Sequence, residues 1–287
     1  MTTTLSPITT DSNTTTRSTQ NNSTPSNNIA ASRTALDSVK AIPTTLNAEW
    51  IKLRSLRSNK AIIALTAAVG GFMTWAIATY VTDEVLTITE VFTAATVFTA
   101  VFAAVGGILL FTSESQHGTL APALTAQPAR AVIAVSKTVI AAGFGAVLGA
   151  VGLAAGYAGA YLGPIATGDT STMLSTSLWA IGFASLASVL GLGIGMIARL
   201  STAAVSGLLV WWLVVENLVG VFLAERFARF MPFTAGNGML GSGGNGGPGE
   251  GVSELALTTT ENALVFGGYA AVALVIGTVL LYRRDTN

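Results

Sequence analysis

The chain contains no cysteine. Disulfides, thiol chemistry and cysteine-ligated metals are therefore excluded, while the redox compartment stays open. Histidine occurs once, as His117, with only Glu114 close to it in sequence. Metal centres and histidine-based proton relays need several partners, so a solvated or contact residue is the expectation there. No GxxxxGK[ST] stretch occurs, which leaves the chain without a nucleotide-binding P-loop of its own. With no paired acids and no nucleophile beside a base, enzymatic chemistry and bound cofactors are not expected. Charge is also scarce: Asp, Glu, Lys and Arg make up 10% of the 287 residues, against about a quarter in soluble domains. The formal net charge is zero, so no overall field attracts nucleic acid.

What the chain has in abundance is uncharged apolar sequence. Hydrophobic residues make up 51% of it, and the charges cluster between stretches of about 20 residues, enough to cross a hydrocarbon core of ~30 Å. Six spans are expected, at residues 61–82, 91–112, 131–162, 174–198, 203–223 and 263–282. An all-α membrane protein follows, because a helix satisfies its own backbone in lipid. The third span exceeds one crossing at about 1.5 Å per residue, so its start, with Lys137, is expected to protrude into the cytoplasm. The fifth is then the only span with a charge deep inside.

Residues 1–44 are rich in Thr, Ser and Asn with no apolar period, the composition of a disordered tail. They lack the basic start and apolar run of a signal peptide. Residues 45–287 form the six-helix transmembrane domain. Twelve of the fourteen Lys and Arg fall in the N-terminal region, around Arg130 and Lys137, at Arg199 and at Arg283 and Arg284. The excess of cations on that side makes it cytoplasmic, and both termini with it.

Before the first span, Leu46, Trp50 and Leu53 fall at helical spacing beside Lys52, Arg54, Arg57 and Lys60. An interfacial helix is expected, with an unstructured basic stop as the alternative. The cytoplasmic loop Ser113 to Arg130 reads SESQHGTLAPALTAQPAR, with a short helix expected around Ala123 to Gln127. The external loop Ala224 to Asn262 opens with ERFARFMPF and continues as GSGGNGGPGEG, a flexible linker by composition. Two GxGxxG matches lie in it, Gly236 to Gly241 and Gly241 to Gly246. A dinucleotide fingerprint must follow a strand and open a helix, so no cofactor site is expected.

Small residues line the third span at Thr138, Ala142, Gly145, Gly149, Gly152, Gly156, Gly159 and Gly163. Their alternating spacing of four and three makes one stripe, suited to close, left-handed packing of a neighbouring helix. Gly191 and Gly195 repeat the device in the fourth span. Packing within the chain is the default, with subunit contact or a hinge as alternatives. Glu216, next to Asn217, lies deep in the fifth span, where a carboxylate costs on the order of 3 kcal/mol. Two readings are open: a polar point on a translocation path or subunit interface, and a structural carboxyl that is protonated or hydrogen-bonded.

The order of AEWIKLRSLRSNKA before the first span, FTSESQHGTLAPALTAQPARAVIAVSK between the second and third, and FMPFTAGNGML beyond the fifth resembles bacterial type-2 ATP-binding-cassette (ABC) exporter permeases. The likeness is to small, actinobacterial-looking members and covers Leu46 to Arg284. Its middle motif places an acid, a His-Gly-Thr triplet, a Pro and two basic residues at Glu114, His117, Gly118, Thr119, Pro128, Arg130 and Lys137. Ser115 and Gln116 depart from the aromatic and basic residues usual there, and the Gly-rich insert is a second departure. The resemblance implies a plasma-membrane exporter: a homodimer or heterodimer of such subunits joined to separate cytoplasmic P-loop ATPases. The segment before the first span would be the elbow helix, and Glu114, His117, Gly118, Thr119, Pro128 and Arg130 would belong to the ATPase-docking loop. Helices one, two and five would border the path, with Glu216 and Asn217 near it. Two other functions stay in view. An autonomous secondary transporter or channel would need more ionisable sites within its spans, and a non-transporting scaffold or immunity component would tolerate loss of Glu216.

Overall fold

The computed structural model describes residues 43–81, 86–116, 118, 130–163, 170–222, 225–241 and 257–284. Residues 1–42 of the expected 1–44 tail and most of the Gly-rich run lie outside them, whereas residues 43 and 44 are already helical. Residues 43–55 form helix α1. It is followed by α2 (Arg57–Tyr80), α3 (Ile88–Gln116), α4 (Arg130–Tyr161), α5 (Thr170–Ala198) and α6 (Ser201–Phe222). Two short helices come next, α7 (Glu225–Ala228) and α8 (Pro232–Gly238), and then α9 (Thr259–Arg284). Six of these, α2 to α6 and α9, are long and apolar enough to cross a membrane. The chain is a multi-pass all-α membrane protein.

Helices α3 and α9 begin a few residues before the expected spans because their polar first turns are capped as helix. Glu90 accepts the Thr87 N–H at 2.7 Å and the Thr87 hydroxyl at 2.9 Å, and Glu261 does the same for Thr258 at 2.8 and 2.9 Å. Hydropathy registers only the apolar centres; these capping boxes extend α3 and α9 beyond them. Threonines within the spans stay compatible with lipid by turning inward. The hydroxyls of Thr66, Thr74, Thr96 and Thr112 each donate to the carbonyl four residues earlier.

The core is built on α3 and α5, each 61% buried along its apolar window, whereas α6 is only 11% buried. Glycine brings α3 and α5 together reciprocally. A Cβ on Gly107 would collide with the Ser188 carbonyl oxygen, and one on Gly191 with that of Ala104. The small-residue stripe of α4 is shared among three partners in this chain. Gly145 and Gly149 meet Ala184 and Ile181 of α5, Gly152 meets Thr99 of α3, and Gly156 meets Phe92 and Thr74. Gly159 faces Gly71 and Thr74 of α2, and Gly163 faces Ala78.

The turn from α5 to α6 is tight. Arg199 takes a left-handed φ of 58°, with its N–H donating to the Gly195 carbonyl at 2.9 Å. The Ser201 hydroxyl then donates to Gln116 at 3.1 Å, tying the start of α6 to the end of α3.

Candidate functional site

Charge collects at the end of the bundle where α1, the end of α3 and the start of α4 meet. Lys137, only 3% exposed, lies 2.7 Å from Glu114 and 3.2 Å from Glu49. Lys52 lies 3.2 Å from Glu114 and 3.3 Å from Glu49. Each carboxylate therefore touches both ammonium groups, closing a ring of alternating sign. Burial of Lys52 works against its charge, yet the attraction of Glu114 and Glu49 exceeds it and lifts the pKa above the ordinary 10.5.

Several local features hold α1 in reach of this ring. Leu53 is buried and Leu46 packs against the core, while Trp50 of the same stripe is left exposed. A single extended residue, Leu56, separates α1 from α2. There Asn59, 2% exposed, donates to the Leu53 carbonyl at 3.0 Å, satisfying a group that the end of α1 leaves without a helical partner. Lys137, at the start of the third expected span, is enclosed by protein, and two acids from other segments neutralise it.

Of the other residues in the expected docking motif, Gly118 takes φ of 70°, a backbone state that a side chain disfavours, with none of the described residues within 4 Å of an added Cβ. Arg130 opens α4. His117, Thr119 and Pro128, and the short helix expected around Ala123 to Gln127, lie outside the described residues.

The second polar feature is at the opposite end. Residues Trp211–Val215 of α6 form a π-helical turn, so the Glu216 N–H reaches back to the Trp211 carbonyl. The Asn217 side-chain amide donates to the carbonyls of Trp212 at 3.0 Å and Leu213 at 3.2 Å, supporting this widened turn. An added residue rotates everything after it by about 100° around the helix axis. Glu216 is buried, at 7% exposure, while Asn217 is exposed.

The Glu216 carboxylate accepts the backbone N–H of Thr234 and, at 3.0 Å, its hydroxyl. Thr234 belongs to α8, which the sequence treats as part of an external loop. Pro232, Phe233, Ala235, Gly236 and Gly238 are all buried there. A Cβ on Gly236 would strike the Phe183 ring, and one on Gly238 the Asn262 side chain. The first GxGxxG match therefore begins in the last turn of a packed helix, at Gly236 to Gly238, and ends in the turn after it; most of the second lies outside the described residues. Aromatic contacts continue the join, from Phe98 to Trp212 at 5.7 Å, on to Phe233 at 6.2 Å and Phe266 at 6.3 Å.

Sequence reading missed Glu49 as a site residue and left Glu216 without a named partner. The available signal for Glu49 was its place three residues before Lys52, on the side of the membrane that also holds Glu114 and Lys137. Nothing in composition distinguishes Thr234. Among the described residues, no group of His, Cys, Asp and Glu could hold a metal. The fold defines a membrane protein of six crossing-length helices with an ion ring, closed around the enclosed Lys137, at one end of the bundle. No protein-family model matches the chain, and no curated protein matches it.

Proposed function

We propose that this chain is the membrane-spanning permease subunit of an ABC export system in the plasma membrane, driven by ATP hydrolysed on a separate cytoplasmic P-loop subunit. The observation that carries the reading is the ion ring. The polar stretch 117–129 leaves from Gln116 and returns at Arg130, and the helices on both sides of it are bound to α1 by Glu114 and Lys137. A docking element must pass force to the spans, and a loop anchored at both flanks on an amphipathic helix suits that task. Six crossing-length helices and a chain with no P-loop agree with a transport subunit that takes its energy from a partner.

The test is affinity purification of the tagged chain from its native host, followed by assay of ATPase activity in the eluate. A P-loop ATPase should co-purify, and Gly118→Ala should reduce its stimulation. Among the described residues nothing lies within 4 Å of an added Cβ at Gly118, so that variant acts through its left-handed backbone conformation. Normal stimulation after residues 117–129 are replaced by a Gly/Ser linker would remove the docking role.

A further inference from the structure

Glu49, Lys52, Glu114 and Lys137 come from three separate segments, with Glu49 and Lys137 88 positions apart. Apolar side chains could hold three helices together equally well, and buried ion pairs are weak sources of stability compared with apolar replacements of similar volume. What a charged ring adds is selectivity of arrangement. Lys137 is almost wholly enclosed. A slip of α1 by one turn would take Glu49 away from it and leave Lys52 facing a single acid. Only one relative placement of α1, the end of α3 and the start of α4 neutralises all four groups.

We infer that the ring is a positioning device: Glu49, Lys52 and Lys137 act through Glu114 to hold α1 and the two helix ends flanking residues 117–129 as one body. Movement of α1 at the membrane surface is then conveyed to the point from which that stretch leaves α3, and the reverse. The inference rests on the reading of 117–129 as the ATPase-docking element, and it names α1 as the part of the permease that sets the docking position. Glu49, Lys52 and Lys137 are positioning residues in this account, with no contact to the ATPase required.

The ring has a signature that two independent ion pairs lack. Exchanging charges within one pair, as in Glu49→Lys with Lys137→Glu, preserves the contact between those two positions. It also sets like charges against each other at both remaining contacts of the exchanged pair, with Lys52 on one side and Glu114 on the other. Only inversion of all four positions restores every contact.

The experiment uses the full chain, which has no native cysteine, with spin labels on cysteines placed at the exposed positions Ser55 and Gln116. The native background and the fourfold inversion should both give one narrow distance distribution. The paired exchange should broaden it, and Glu49→Gln, a milder change that keeps the side-chain shape, should broaden it without loss of folded protein. The same broadened variants should bind the ATPase but lose its stimulation.

A paired exchange with native distances would overturn the ring, and a broadened distribution with full stimulation would overturn the positioning role. Absence of any bound ATPase on the native chain would instead overturn the functional reading, with the docking role going with it. The spin-label distances would still judge whether the four charges hold α1 to α3.

Discussion

Thr234 lies 18 residues after Glu216 and gives its carboxylate both a backbone N–H and a hydroxyl. This contact fastens α6, the least covered of the long helices, to the packed segment α8. Glu216→Leu should leave the Thr234 donors unsatisfied and lower stability by about 1 to 3 kcal/mol. Glu216→Gln keeps an accepting oxygen and should cost less. Thermal unfolding of the detergent-solubilised protein reads both, and a Leu variant as stable as the native chain would refute the structural role of the carboxyl.

Glycine substitutions should divide sharply by position. Gly107→Ala and Gly191→Ala place a methyl against backbone carbonyls across the α3 and α5 contact, where no flexible side chain can give way. Both should reduce the yield of folded protein severely. Gly143, with nothing within 4 Å of an added Cβ, should accept Ala neutrally or gain about 0.5 to 1 kcal/mol from helix propensity. Equal yields from Gly143→Ala and Gly107→Ala would contradict the packing described for α3.

Sidedness can be read in intact cells with an impermeant thiol reagent, since no native cysteine competes. Single cysteines at Ser38, Ser115 and Thr286 should be shielded, and those at Thr87, Ser171 and Ser242 should react. Labelling at Ser115 from outside would reverse the orientation drawn from Lys and Arg.

The raised pKa of Lys52 has a direction in pH. Folding binds its proton more tightly than the unfolded chain does, so the contribution is complete below 10.5 and is lost as pH climbs through the raised value. Lys52→Gln should therefore lower the melting temperature by a constant amount across neutral and mildly alkaline pH. The gap to the native chain should close only at higher pH. A gap that closes on acidification would mean that another group controls it.

The six spans are legible in the sequence because each is a run of apolar residues long enough to cross a bilayer, and membrane solvation leaves a helix as the way to satisfy the backbone. Asn217 and Glu216 are legible as unusual, because polar groups stand out in such a run. Their arrangement is not. A π-helical turn at Trp211–Val215 has no compositional mark, and the partner of Glu216 lies in a stretch whose Gly236 and Gly238 read locally as loop. Those glycines serve packing against Phe183 and Asn262 from other helices, a role invisible without the fold. The enclosure of Lys137 by protein is not legible for a related reason. Its burial depends on Glu49 and Glu114, and a length argument made on one helix cannot register acids supplied by two others.

The reciprocal contact of α3 and α5 also bears on how the chain is made. At about 5 to 20 residues per second, the roughly 80 residues separating Gly107 from Gly191 take on the order of ten seconds to synthesise. For that interval α3 has no α5 to meet, and its bare glycine face must wait among lipid or the helices already present. The central seam therefore closes late, by lateral assembly after both helices have been delivered to the bilayer. A ribosome stalled soon after α4 would release a chain with four of its helices in place and the surface meant for α5 uncovered, the kind of product that membrane quality control removes.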